Sequence, residues 1–377
     1  MTAVETKRKR VLLMYITKVS GHRQATIAIQ KSLKAIDPTL ETPAINGFGY
    51  TYPILEKMVN QAYMSVIKTT PQLWDYLYDN PKFFKRSQNI KKFLFKSSHA
   101  KLERLFKRHD PSVVVCTQAF PCGMVADFKR QHNLDFKIVG VLTDFAPHSY
   151  WINDGVDYYV VPSQDSKERF MAKGVPAPMI KVYGIPVKHK FAQKHEQHTA
   201  ARNLGLDPSI PLILVMGGGQ GLGPIKKIVK SLSKINTAVQ IVVLAGNNKK
   251  VIDKLKKLVK KSENKIMPMG FLKNVDEYMD AASVIITKPG GITTAESLVK
   301  GLPMAIIDPL PGQEMRNTDF LIKNGIAIRV DSASDIGEEI EVLLKTPSRL
   351  AAMRKAALEF SYPDSSMDIA RLIMEQL

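Results

Sequence analysis

Residues Ile286 to Glu296 read Ile-Thr-Lys-Pro-Gly-Gly-Ile-Thr-Thr-Ala-Glu, an apolar run joined to a helix-like sequence through two glycines. Pro289-Gly290-Gly291 interrupts regular structure, and Thr293 or Thr294 can cap the helix that Ala295 to Gly301 continues. Unpaired amides at such a helix start, with the positive end of the helix dipole, favour phosphate. Glu296, expected one turn or less into the helix, is placed to accept hydrogen bonds from ribose hydroxyls. The same letters also describe an ordinary strand–turn–helix joint.

Three further loops close apolar runs, the place where open parallel sheets bind ligands. Thr17-Lys18-Val19-Ser20-Gly21-His22 opens a helix, Thr143-Asp144 stands near His148 and Trp151, and Gly217-Gly218-Gly219-Gln220-Gly221-Leu222-Gly223 is glycine-rich. An imidazole titrates near neutrality, so His22 can take a proton from an attacking hydroxyl; it can equally be a helix-start residue bonding a nearby carbonyl. Asp144 can orient that base, contact the substrate, or cap a strand end. His148 and Trp151 can shape the same mouth or simply pack. The glycine run could suggest a dehydrogenase, but it begins mid-chain, and the next such loop, Ala245-Gly246-Asn247-Asn248, lacks a ribose carboxylate. There is no Gly-Lys-Ser/Thr P-loop, no His-Glu-x-x-His and no Asp-x-Asp pair, so no metal site is expected. A departing diphosphate then has to be stabilised by amides, a helix dipole and cationic side chains.

The elements that must position these loops alternate between apolar runs and helical segments. The runs are Arg10 to Thr17, Ser112 to Thr117, Phe136 to Thr143, Asp157 to Ser163, Leu212 to Gly219, Gln240 to Gly246, Ser283 to Thr287, Met304 to Pro309 and Ala327 to Val330. Continuous apolar strands separated by helices predict an α/β protein with parallel sheets covered on both faces. A length of 377 residues suits two such domains. The expected boundaries are 1–187 for the first domain, a polar linker at 188–208, and 209–358 for the second. Between Asn46 and Arg108 the first domain loses its β/α regularity and reads as helix and loop.

Fifty-four Lys and Arg against 35 Asp and Glu give a formal charge of +19, which implies an acidic partner or surface. From Pro81 to Arg108 ten basic residues (Lys82, Lys85, Arg86, Lys91, Lys92, Lys96, Lys101, Arg104, Lys107 and Arg108) face one acid, Glu103. Twelve lysines between Lys226 and Lys265, with no aromatic among them, read as a solvated face. Cys116 and Cys122 lack metal-ligand spacing and read as free thiols in a reducing compartment. No apolar stretch is long enough to span a bilayer, and the N-terminus lacks a signal-peptide pattern.

Taken together, the motifs resemble the GT-B glycosyltransferases of family 28 that make monoglycosyl-diacylglycerols: the processive diacylglycerol glucosyltransferases and the monogalactosyldiacylglycerol synthases. The resemblance rests on Gly21-His22, Thr143-Asp144-Phe145 with His148 and Trp151, Gly184-Ile185-Pro186, Ala245-Gly246-Asn247, Gly270-Phe271, Lys288 to Glu296, and Pro309-Leu310-Pro311-Gly312-Gln313-Glu314 with Asn317. A more distant similarity is to the peptidoglycan UDP-N-acetylglucosamine transferase, which supplies an alternative reaction on a polyprenyl-linked acceptor. The resemblance implies two Rossmann-like domains facing a central cleft, with a C-terminal helix at 359–377 crossing back to the first.

For the site, it implies that His22 is the general base or sits beside it, with Asp144 assisting. Gly290, Gly291 and Ile292 should present amides to the diphosphate, with hydroxyls from Thr293 and Thr294, while Glu296 holds ribose. Gly218, Gly219, Gln220 and Asn247 belong to the donor loops, Gly270, Phe271 and Leu272 to the uracil edge. Gln313, Glu314 and Asn317 correspond to residues that bond hexose hydroxyls. Lys288 and Arg316 can screen charge or join surface ion pairs. The donor is a UDP-hexose acting as co-substrate, the acceptor diacylglycerol, and no cofactor is expected. The chain departs from the family in having few glycines before His22, and in Thr26 where many relatives carry alanine.

The basic insertion then gains a reason. Phe48, Tyr50, Tyr52, Tyr63, Trp74, Tyr76, Tyr78, Phe83, Phe84, Phe93 and Phe95 lie among its lysines, and aromatic and basic residues together suit an anionic lipid surface. About half of these aromatics should instead be core. The expectation is a peripheral protein on the cytoplasmic face of a membrane. The non-enzymatic alternatives are a basic nucleic-acid-binding module, which leaves the glycine loops without a use, and a lipid-surface scaffold.

Overall fold

A computed structural model describes residues 9–17, 20–57, 81–145, 149–259 and 262–377, with the side chains of 81–92 and 149 outside the description. The chain forms two compact units, Met1–His189 with Asp364–Leu377, and Lys190–Pro363. Each is built on a six-stranded sheet in which every pairing is parallel.

Unit 1 orders its strands β2-β1-β3-β4-β5-β6, with β1 Val11–Tyr15, β2 Ala44–Asn46, β3 Val113–Cys116, β4 Lys137–Val141, β5 Tyr158–Val161 and β6 Ile180–Val182. The continuous apolar runs form the interior strands because both faces of the sheet are buried. Leu12, Met14, Val114 and Cys116 point into one core, with Phe95 and Phe128, while Val11, Leu13, Val113 and Val115 point into the other, with Ile29 and Leu33. The second core is completed by Ile369, Ala370, Leu372 and Ile373 of the C-terminal helix Ser365–Met374. Ser365 Oγ fastens that helix by donating to Ile185 O and accepting from Val187 N.

Unit 2 orders its strands β12-β11-β10-β7-β8-β9, with β7 Leu212–Met216, β8 Gln240–Leu244, β9 Lys265–Met269, β10 Val284–Thr287, β11 Met304–Ile307 and β12 Ala327–Val330. In both sheets the chain lays strands outward in one direction from a central strand, then restarts on its other side. These reversals lie between β1 and β3 and between β7 and β10, the position at whose C-terminal strand ends open parallel sheets bind ligands.

The boundary differs from expectation. Most of 188–208 is folded into unit 2: Phe191, Ala200, Ala201 and Leu206 are buried. Glu196 caps a short helix, Gln197–Asn203, and Gln197 donates to Ala281 O and Ser283 Oγ. The stretch looks like a tether because the outward side of this short helix is polar. In the insertion, the helix Pro81–His109 buries Phe95, Ser98, Leu102, Leu105 and Phe106 at helical spacing. Of the other aromatics, Phe48 and Tyr52 are half-buried and Tyr50 and Phe93 are exposed. Tyr63, Trp74, Tyr76, Tyr78 and the side chains of Phe83 and Phe84 lie outside the described residues.

Candidate functional site

The chemistry of unit 1 gathers at its strand reversal. Ser20 caps the helix Gly21–Ile36, its Oγ accepting from Arg23 N and donating to Ile16 O, which makes His22 the second helical residue. His22 Nδ1 lies 2.9 Å from Thr117 O, just past β3, and 3.0 Å from Thr143 Oγ1, past β4. A carbonyl can only accept, so the neutral ring carries its proton on Nδ1, leaving the Nε2 lone pair bare, with no partner among the described residues. Thr117 Oγ1 and Thr26 Oγ1 each lie 3.0 Å from His22 O, and 2.9 Å from each other. Thr26, the departure from the family pattern, therefore braces the helix turn that carries the imidazole.

Enclosure of the His22 ring holds its pKa down to about 4, against a weaker upward pull from the Thr117 carbonyl. One ring nitrogen bonds a carbonyl, and for that reason the other carries the lone pair. The contacts that orient the ring at Nδ1 come from Thr117 and Thr143; Asp144 follows Thr143 directly in the chain. His148 lies outside the described residues.

The depressed pKa has a consequence for stability. Above pH 6.5 the ring is neutral folded or unfolded and has no effect. As pH falls towards 4 the unfolded state takes up the proton first, so stability is lost across that window, by about 3 kcal/mol in full. Urea unfolding at pH 7 and pH 4.5 should show a smaller loss in His22→Gln than in wild type.

In unit 2, β7 and β10 flank the reversal and their loops lie side by side. The helix after β10 is Gly291–Lys300, with Gly290 as its cap residue and no side-chain cap. Thr293 and Thr294 are therefore inside the helix, contrary to their expected capping role, because the two glycines enter it directly. Thr294 is fully buried, which removes it from the expected phosphate contacts, and its hydroxyl has no hydrogen-bond partner among the described residues. Glu296 is the sixth helical residue, more than one turn in, so its expected place in the first turn is also corrected. The Gly290 amide, expected to face the diphosphate, instead donates to Lys288 O at 2.9 Å, while the amides of Gly291, Ile292 and Thr293 precede the first intrahelical bond, Thr294 N to Gly290 O. A side chain at Gly290 would meet nothing within 4 Å, so this helix start opens onto free space.

The glycine-rich loop after β7 is buttressed by the loop after β8. Asn247 N donates to Gly219 O (3.1 Å) and Asn248 Nδ2 to Gly221 O (3.0 Å). Gly218, Gly219 and Gln220 form its turn, and the Asn247 side chain is exposed. Phe271 is 65% exposed and Leu272 half-buried, just past β9.

The residues expected around a hexose begin the helix Gln313–Lys323, where Gln313 is the first residue. Glu314 Oε2 accepts from Leu310 N at 2.7 Å, and desolvation raises its pKa against the pull of that amide and of Lys288. Lys288 Nζ stands 3.3 Å from Asp308 Oδ2. Asn317 is fully buried and its Nδ2 donates to Pro289 O at 2.9 Å. It is turned to the loop before the Gly291 helix, a correction to its expected exposure to sugar.

This arrangement can be set beside known proteins. Residues 22–187 match the monogalactosyldiacylglycerol (MGDG) synthase family and residues 212–369 the glycosyltransferase family 28 C-terminal domain, one match on each sheet. The chain belongs to the family 28 glycosyltransferases. Its family 28 relatives include proteins named processive diacylglycerol beta-glucosyltransferase from Bacillus licheniformis and Bacillus subtilis. Each is 28% identical over 98% of this chain and 95% of its own length. Among solved structures, MurG of Acinetobacter baumannii aligns over 97% of this chain and 99% of its own, with TM-score 0.68 at 14% identity. HepE of Anabaena in complex with UDP aligns over 97% of this chain and 100% of its own, with TM-score 0.56 at 13% identity. At such identities these structures support the fold, which is the GT-B arrangement of two parallel-sheet units. Among the described residues of this family 28 chain no helix is long and apolar enough to cross a membrane.

Proposed function

We propose that the protein transfers a hexose from a UDP-sugar to 1,2-diacylglycerol, giving a β-glycosyl lipid with inversion at the anomeric carbon. The observation that carries the reading is the division of chemical parts in a chain matched end to end by diacylglycerol glucosyltransferases. Unit 1 holds an imidazole with a bare Nε2, and unit 2 a helix start with open amides. In the reaction, the free hydroxyl of diacylglycerol attacks the anomeric carbon and loses its proton to His22 Nε2. The bond from that carbon to the diphosphate oxygen breaks, and the charge on departing UDP meets the amides of Gly291, Ile292 and Thr293 and the helix dipole. Glu296 is assigned to ribose, Phe271 and Leu272 to the uracil edge, and Gln313 and Glu314 to the hexose. Gly218, Gly219, Gln220 and Asn247 wall the donor side. No cofactor takes part.

The decisive assay incubates purified protein with dioleoylglycerol vesicles and UDP-glucose, UDP-galactose or UDP-N-acetylglucosamine in EDTA. The names of the relatives make glucose the first donor to test. Transfer of N-acetylglucosamine alone, or a strict metal requirement, overturns the reading.

A lipid acceptor requires access to a bilayer, and the reading includes peripheral docking on an anionic, cytoplasmic membrane face. Ile54 and Phe93 are 77% and 72% exposed, and Lys96, Arg104 and Arg108 are exposed along the helix that carries Phe93. Each nearby cation adds roughly 1 kcal/mol of attraction to anionic lipid. Replacing Lys91, Lys92 and Lys96 together by Gln should therefore weaken binding to vesicles rich in phosphatidylglycerol by about a hundredfold. Sedimentation with vesicles measures it. Unchanged vesicle binding, or tighter binding of wild type to duplex DNA than to vesicles, removes the membrane assignment.

A further inference from the structure

Asn317 has the chemistry of a sugar contact but not the placement of one. It is fully buried in the helix after β11, and its carboxamide donates to Pro289 O, 28 residues away, at 2.9 Å. We infer that Asn317 is a positioning residue for the diphosphate loop, acting by fixing the Pro289–Gly290 peptide and hence the direction in which the following amides are presented. The inference rests on the reading of unit 2 as the UDP-sugar half.

The peptide group is planar, so a bond to its carbonyl also sets the N–H on its far side. That N–H, of Gly290, donates to Lys288 O at 2.9 Å, and Thr287 Oγ1 lies 3.1 Å from the same carbonyl and 3.2 Å from Met216 O. These other contacts come from the loop itself and the neighbouring strand. Asn317 alone among them arrives from the Pro309 to Asn317 segment, tying the loop assigned to the diphosphate to the one assigned to the hexose. The tie matters because two glycines follow Pro289, and glycine leaves a peptide plane free to rotate unless it is held. Without the carboxamide, the Pro289 carbonyl is left in a buried site lacking its donor, a state that favours rotation towards water. The rotated loop would aim the Gly291, Ile292 and Thr293 amides away from a bound diphosphate.

A hexose contact and a loop-positioning contact differ in their effect on UDP, which has the diphosphate and no hexose. Calorimetric titration of UDP into the full-length wild type, Asn317→Ala and Asn317→Asp makes the comparison, with the ratio of kcat/KM for UDP-glucose and UDP-galactose measured alongside. The Asp variant keeps the side-chain volume but sets an oxygen against the Pro289 carbonyl, so it tests the bond without opening a cavity. We expect UDP affinity to fall about tenfold in both variants, the loss of one buried hydrogen bond, with the sugar ratio unchanged. UDP affinity equal to wild type in a folded variant overturns the inference, whether or not the sugar ratio moves. Failure of wild type to bind UDP is a separate outcome, visible in the control, and overturns the donor-site reading with it.

Discussion

His22→Ala should lower kcat by about 10²- to 10⁴-fold, the usual contribution of a positioned general base. Affinity for UDP should stay near wild type, because every residue assigned to the nucleotide belongs to unit 2. The structure also fixes the form of the pH profile. With Nδ1–H committed to the Thr117 carbonyl and the pKa at about 4, Nε2 is unprotonated throughout the neutral range. The wild-type rate should therefore show no histidine-dependent limb between pH 6 and 8, and should fall only as acid approaches the His22 pKa and fills the Nε2 lone pair. Such a base is weak, so proton transfer should accompany attack on the sugar rather than precede it. Thr143→Val removes one of the two Nδ1 contacts while keeping the carbonyl that sets the tautomer, and should cost far less than loss of the ring. Steady-state kinetics with UDP-glucose over pH 4.5 to 8 measures all three, with thermal unfolding as a control for folding. Full activity in His22→Ala removes its role.

What could be read from the sequence, and what could not, follows from how each feature is encoded. The interior strands were legible because burial on both faces demands uninterrupted apolar residues, as in Val113–Cys116 and Val284–Thr287. Three strands escaped notice, β2, β6 and β9, and all three are sheet edges. Edge strands bury less, and β9 tolerates Pro268 because an edge residue has a side without a ladder partner. The candidate site divides the same way. Gly290-Gly291 and His22 stood out because a helix start needs open backbone and proton transfer needs a titratable ring. Thr117 and Thr143 did not: Thr117 acts on His22 through its carbonyl, which any residue type supplies, across a sequence separation of 95 residues. Asn317 was noticed for its kind and misplaced in role, since composition cannot say whether a carboxamide faces a ligand or a neighbouring loop. Placing the helix cap at Thr293 or Thr294 followed a sound preference for hydroxyl caps, but Gly290 already occupies an extended cap conformation, with φ −66° and ψ 139°.

The glycine loop after β7 offers the sharpest test of how closely unit 2 is fitted around the donor. Gly221 has φ +59°, and a Cβ there would lie 2.1 Å from Ala245 O and 2.8 Å from Asn248 Cβ. Gly221→Ala therefore meets two penalties: roughly 1–2 kcal/mol for a left-handed alanine, and the displacement of a loop that the Asn248 carboxamide holds to Gly221 O. Gly218→Ala, three residues earlier in the same turn, has nearly the same conformation, φ +65°, but its Cβ would meet nothing within 4 Å. The pair separates conformational strain from close approach. Gly218→Ala should lower the unfolding midpoint by only a few degrees. Gly221→Ala should lower it by roughly twice as much or more, at about 2–4 °C per kcal/mol for a unit of this size, and should also raise KM for the UDP-sugar. The KM effect follows because Asn247 N donates to Gly219 O, so pushing the two loops apart moves the wall that both loops form beside the open helix start. Equal midpoints for the two variants would mean that the loops separate at little cost, and that the donor side of this transferase is shaped by bound nucleotide instead of by its own backbone.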